Sequence, residues 1–288
     1  MDRTNTTIRD VASFLKWVKG NHTITSVADD GTKPSWYQSS VYYRGQANKT
    51  WELKPSAFRH NGVQEHELLQ KAELMMWDKV ASCKTYLEKL VYFQHYGLPT
   101  RLLDVTFNPL IALYMACDEE KERNHQGVVY SGYKSPGNIE EMRIVELTSE
   151  FLFTSSIRGF KHELDIFIEQ KKSNLNYFTH PCLILPPNNN PRLEVQNGAF
   201  IMPPLINKIS DSIPNKEKLD DSEFFDMSRA IIPASRKIEI LQELSELGVN
   251  RGSIYKGSEN KLISIFQQAK WNAISIDEDA IKIQAKKS

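Results

Sequence analysis

Residues 94–117 read QHYGLPTRLLDVTFNPLIALYMAC, and the fold turns on how this run is parsed. Gly97, Leu98 and Pro99 signal a turn, because Gly permits positive φ and Pro presets its own. Arg101 to Thr106 then reads as a short buried strand. Alternation puts Leu102, Asp104 and Thr106 on one face and Leu103 and Val105 on the other. A charge in so apolar a run needs a partner, and Arg101 is the nearest candidate. After Phe107, Asn108 suits an N-cap and Pro109 the first helical position, where its missing N–H is no loss. Leu110, Leu113, Tyr114 and Cys117 recur at helical spacing. The unit is therefore turn, strand, tight turn and buried helix. Asp104 and Thr106 fall at the strand end, a common place for ligand-binding groups. The competing reading has Asp104 only tie down the turn through backbone N–H groups.

Working outward, Val41 to Gln46 (VYYRGQ) reads as a strand with Val41 and Tyr43 facing one way and Tyr42 and Arg44 the other. An Arg at a strand end, followed by Gly45, leaves room for a phosphate to approach. The alternative is a structural ion pair between Arg44 and a carboxylate such as Asp104. Nearer the N-terminus, Thr7 with Asp10 resembles a capping box. Ile8, Val11, Leu15 and Val18 continue at helical spacing to Gly20, and residues 20–38 read as a loop. Residues 51–59 look irregular around Pro55. Glu65 to Phe93 is helical, broken near Ala81–Lys84, with Leu68, Leu69, Met75, Met76 and Trp77 expected in the core.

Downstream, Gly127 to Tyr133 is β-rich, and Met142 to Leu147 offers it a partner strand. Pro181 to Leu185 is a short apolar strand, and 186–191 an exposed loop. Arg192 to Met202 reads as a loop entering a strand, with Leu193, Val195 and Ala199 inward and a bulge at Gly198. Pro203 to Glu223 reads as a mobile loop. Ser235 opens a helix carrying Ile238, Leu241, Leu244 and Leu247, closed by Gly248, and a final helix runs from Glu259 to Trp271. There are no repeats and no linker. The expected organisation is one α+β domain over 31–276, with residues 1–30 packing on it as a helix and loop and 277–288 fraying.

Composition narrows the function classes. The 288 residues are 40% hydrophobic and 25% charged, as in ordinary globular proteins. Lys+Arg and Asp+Glu are both 36, so nothing suggests a general nucleic-acid binder. Cys83, Cys117 and Cys182 are an odd number without CxxC spacing, which argues for a reducing compartment. Cys117, on a buried helix face, reads as inert. With no signal-peptide pattern and no membrane-length apolar run, a cytoplasmic location is expected. No Walker loop, helix-opening GxGxxG, GxSxG or HExxH occurs.

QHYGLPTRLLDVT followed by NPLIALYMA resembles the FRG domain, a family named for an aromatic–Arg–Gly motif that Tyr43-Arg44-Gly45 supplies here. RLEVQNGAF at 192–200 and the stretch from Lys237 to Tyr255 extend the resemblance over most of residues 35–270. Val105 departs from it, since the family usually carries Trp there. The order of motifs is similar to that of ADP-ribosyltransferases: an Arg for the NAD phosphates, a Ser/Thr-rich strand leading into a helix, and a catalytic Glu near a late strand. Two departures matter. The second motif here is Leu-Asp-Val-Thr rather than Ser-Thr-Ser. The third position is Glu194 or Gln196, and with Gln196 the usual carboxylate is missing.

The resemblance implies an α+β, ADP-ribosyltransferase-like fold, a single domain with a mixed or antiparallel sheet and flanking helices. It implies NAD as substrate and a protein or nucleic-acid acceptor, with no role for a membrane. Glu194, Gln196, Asp104 and His95 are then the candidate catalytic residues. Arg44, Gly45, Gln46, Tyr96, Arg101, Thr106, Arg192 and Phe200 are the candidate nucleotide-binding residues. His95 or Tyr96 would stack on nicotinamide or bond the ribose, although a His beside a turn is more often a satisfied core residue. The expected activity is cleavage of the nicotinamide–ribose bond, of the kind used by toxins and phage-defence effectors. The alternative is a non-catalytic nucleotide- or partner-binding module of the same fold. A nuclease-like metal site on Asp104 and Glu194 ranks last, because no carboxylate–x–Lys run sits in a clear strand nearby.

Overall fold

A computed structural model describes residues 5–25, 40–59, 65–134, 139–154, 180–185, 196–204, 225 and 228–254. Its organising feature is a mixed sheet: β1 (Asn5–Thr7), β2 (Ser40–Gln46), β3 (Leu103–Thr106), β4 (Gly127–Lys134), β5 (Cys182–Ile184), β6 (Gly198–Met202) and β7 (Arg229–Ile232). The strands lie in the order β1-β7-β4-β2-β3-β6-β5. Among the described residues, only the β1–β7 pair is parallel. The helices are α1 (Val11–Thr25), α2 (Glu65–Met75), α3 (Trp77–Val80), α4 (Tyr86–His95), α5 (Pro109–Cys117), α6 (Ile139–Thr154), α7 (Lys237–Glu246) and α8 (Arg251–Ile254). The α+β class with a mixed sheet and flanking helices is thus as expected.

Side-chain alternation divides the buried residues between the two sheet faces. On one face, α1, α5 and α7 cover β2, β4 and β7 through Phe14, Val41, Tyr43, Val129, Ile232 and Ile240. Also on it, α2, α4 and α6 cover β5 and β6 through Leu69, Leu90, Phe93, Phe153, Ile184 and Phe200. The opposite face buries Tyr42, Leu103, Val105, Tyr130, Ile201 and Phe225.

Helix α5 forms as read. Asn108 Oδ1 accepts from Leu110 N at 3.0 Å, Pro109 opens the helix, and Ile111, Ala112, Leu113, Tyr114, Ala116 and Cys117 are buried. Two glycines seat it. A Cβ on Gly45 would stand 1.9 Å from the Ala112 carbonyl oxygen, and one on Gly127 would stand 2.4 Å from that of Ala116. The helix backbone therefore rests directly on β2 and β4, and Gly45 serves this contact rather than the approach of a phosphate.

Several local expectations are corrected. Helix α1 is capped by Asp10, whose Oδ1 accepts from Ser13 N at 2.7 Å while Ser13 Oγ accepts from Asp10 N at 3.2 Å. Thr7 lies in β1, and the helix runs through Gly20 to Thr25. Met142 to Leu147 belongs to α6 and not to a strand. Met75 and Trp77 are 58% and 63% exposed rather than core. On α7 the buried side chains are Lys237, Ile240 and Leu244, while Ile238 and Leu247 face solvent. Gly198 pairs in register with Thr106, and the irregular residue is Asn197, at φ 44°. The loop at 186–191, Leu193, Val195, most of the 203–223 segment, the helix from Glu259 and the tail lie outside the described residues.

Candidate functional site

The sheet opens between β2 and β3. Strand β2 pairs with β4 along all of Ser40 to Gln46, but with β3 only at Tyr43↔Thr106. Beyond that pair the strands separate, and a side chain fills part of the gap. Arg44 Nη1 donates to the backbone carbonyl of Asp104 at 2.5 Å. The guanidinium thus takes the place of a missing ladder donor and makes no hydrogen bond to the carboxylate of Asp104. This is neither the ion pair with Asp104 nor a bare ligand site, although Arg44 keeps donors to spare. Its Nε is buried and has no hydrogen-bond partner among the described residues. Burial pushes the Arg44 pKa down to about 10, against the opposing pull of Asp104 and with a smaller push from Arg59. It remains a cation at neutral pH.

A cleft of about 320 Å³, counted out to its open mouth, follows this seam. Arg44, Gly45, Asp104, Thr106, Met115 and Gln196 line it. Among the described lining residues Asp104 is the one carboxylate. It is exposed, between buried neighbours. Its Oδ1 accepts from Gln94 Nε2 at 2.8 Å. Thr106 and Gln196 are committed to the fold. Thr106 Oγ1 donates to the Gln196 carbonyl at 2.6 Å and accepts from Asn108 N at 2.9 Å. Gln196 Nε2 donates to the Ile254 carbonyl at 3.1 Å.

Other candidates lie elsewhere. Arg101 does not pair with Asp104. It is buried against Glu65, whose Oε2 accepts from Nη2 at 2.8 Å and from Nε at 3.1 Å, while Oε1 accepts from the Arg101 backbone N–H at 2.8 Å. Phe200 is core, 2% exposed. Gln46 is buried, its amide 3.5 Å from the Glu52 carbonyl. His95 ends α4 edge-on to Tyr96, and Tyr96 stacks on Tyr92 with ring centroids 4.5 Å apart. Neither lines the cleft. Arg192 and Glu194 fall outside the described residues.

Two residues that sequence reasoning left without a role belong here. Gln94 opens the quoted run and holds the carboxylate. Arg59 is exposed at the end of a 3-10 turn (Ser56–Arg59), with Nε donating to the Lys54 carbonyl at 2.9 Å. It lies near enough to Asp104 and Arg44 for their charges to act on one another. Nothing in a local spacing pattern could have joined them, because the turn at 97–102 brings them together. Among the described residues no group of three or more His, Cys, Asp or Glu side chains could hold a metal ion. No described helix is long and apolar enough to cross a membrane.

No curated protein and no solved structure gives a significant match to the chain. One family model does match, over residues 39–125. That span runs from the start of β2 through α5 and stops short of β4, so it holds both walls of the seam but is narrower than the resemblance over 35–270. That model is the FRG domain, which is what residues 39–125 are similar to.

Proposed function

We propose that the seam between β2 and β3 binds NAD and that the protein cleaves its nicotinamide–ribose bond, as an ADP-ribosyltransferase-like enzyme. The observation that supports this reading is the pairing of opposite chemistries at one opening. Arg44 brings a half-buried guanidinium whose Nε has no partner among the described residues, and Asp104 an exposed carboxylate beside it. A guanidinium fork matches two phosphate oxygens at once. A carboxylate stabilises the positive charge that develops on the ribose as nicotinamide departs with the C–N electron pair. Water or an acceptor then forms the new bond to the ribose carbon and passes its proton to that carboxylate. Because Gln196 is an amide and Asp104 is the one carboxylate among the described lining residues, this reading gives the carboxylate role to Asp104.

A second reading, a nucleotide-binding module without catalysis, is favoured by one feature. Thr106 and Gln196 spend their polar atoms on the backbone, and the cleft is shallow, enclosing only about 20 Å³ once open solvent is left out, well below an ordinary ligand pocket. One experiment separates the two. Wild type, Arg44→Lys and Asp104→Asn are incubated with NAD, following binding by calorimetry and nicotinamide release by chromatography. The enzyme reading expects binding and release in the wild type. It expects binding weakened at least about tenfold in Arg44→Lys, where a point charge replaces the fork. Asp104→Asn should bind and not release. Binding without release in the wild type selects the second reading, and no binding defeats both.

A further inference from the structure

We infer that Gln94 is a positioning residue which aims the Asp104 carboxylate at a ribose hydroxyl, so that the site recognises a ribosyl phosphate rather than phosphate alone; this rests on the NAD reading above. The geometry is a relay. Leu102 N donates to Thr100 Oγ1 at 3.2 Å, Thr100 Oγ1 donates to Gln94 Oε1, and Gln94 Nε2 donates to Asp104 Oδ1 at 2.8 Å. Thr100 is itself fixed, its N–H donating to Ser56 Oγ at 3.2 Å. A Gln amide can face either way, but the Asp104 carboxylate only accepts, so the NH2 group must face it and the amide oxygen is left to accept from the Thr100 hydroxyl.

An exposed carboxylate gains little stability from such a bond, so the relay is better explained by what it does to direction. It satisfies one oxygen and leaves Oδ2 accepting no bond among the described residues. That oxygen is an acceptor for a neutral donor such as a sugar hydroxyl. Arg44, bonded to the carbonyl of the same residue, presents its remaining donors to the adjoining phosphate. One residue therefore registers the sugar and the anion sites against each other.

The test compares two probes, ADP-ribose and inorganic pyrophosphate, on wild type, Gln94→Met and Gln94→Ala, with melting temperatures measured alongside. Met keeps most of the volume and removes the amide. The expected result is that both variants lose ADP-ribose affinity by about tenfold, the worth of a hydrogen bond to a charged group, while pyrophosphate binding is unchanged. Equal loss for both probes, loss for neither, or failure of both variants to fold makes Gln94 structural and overturns the inference. A wild type that binds pyrophosphate but not ADP-ribose overturns it together with the NAD reading and leaves an anion site at Arg44. A wild type that binds neither ends both. Wild-type binding of ADP-ribose with no effect of either variant defeats this inference alone.

Discussion

Arg101 and Asp104 stand close in sequence with opposite charges, yet the molecule pairs each of them elsewhere. In an extended segment, positions three apart point to opposite sides, so the alternation that identified the strand already argued against the pairing. What the sequence could not reveal was Glu65, brought in from α2 to meet Arg101 with side-chain exposures of 1% and 5%. Breaking a buried pair strands a charge, so Arg101→Met and Glu65→Gln should each cost about 3–5 kcal/mol in urea unfolding. Asp104→Ala should change stability by less than about 0.5 kcal/mol, since the carboxylate is exposed and its bond to Gln94 is replaceable by water. If Asp104→Ala instead proved as damaging as Arg101→Met, Asp104 would be a core tie and not a site residue.

At the scale of elements, legibility followed locality. The limits of α5 were readable because Asn108 and Pro109 act within one turn of the helix. The strand β2 was readable with its faces, because alternation is local too. Helix α6 was misread because Met142 to Leu147 shows a strand-like apolar mixture when taken alone. Its buried positions Ile144, Val145, Thr148, Ser149 and Leu152 show a helical period only over the longer window, with Phe151 and Phe153 also buried in its last turn. Helix α1 passes Gly20 because nothing stands within 4 Å of a Cβ there, so the glycine costs propensity but signals no close contact. Gly45 is the reverse case. Gly45→Ala would drive a methyl into the Ala112 carbonyl, and the rigid helix cannot yield as a flexible side chain would. The expected loss is at least about 1–3 kcal/mol, read from the urea midpoint. A neutral Gly45→Ala would mean that α5 is not seated on β2 and that Gly45 is open to the ligand after all.

At the scale of the molecule, among the described residues, the sheet separates a helical side in two packed groups from an opposite face, and long-range ties hold these parts in place. The least legible tie is Lys237. Its position next to Ile238 on a helix invites a solvent-facing assignment, yet it is fully buried, and Ile238 is the residue outside. The ammonium donates to the Ala47 carbonyl at 2.6 Å and the Glu122 carbonyl at 2.8 Å, pinning α7 to the chain just after β2 and just before β4. Its pKa is lowered by burial, against the pull of Cys117 and Glu122. Lys237→Met keeps the stem and removes the donors, leaving two carbonyls unpaired at about 1–3 kcal/mol each.

The pH dependence of this region carries a second, opposite signature. Near Lys237 the unfolded chain holds its proton more tightly than the folded one, so this group makes stability rise as the pH approaches 10.5. Burial pushes the Cys117 thiol from 9.0 up to about 12. The unfolded thiol therefore ionises first, and stability falls as the pH climbs from 9 towards 12. Unfolding free energies measured from pH 8 to 10.5 should accordingly fall less in Cys117→Ala than in the wild type, and more in Lys237→Met. Parallel curves for all three proteins would show that Lys237 and Cys117 are hydrated, and that α7 is not clamped across the ends of β2 and β4.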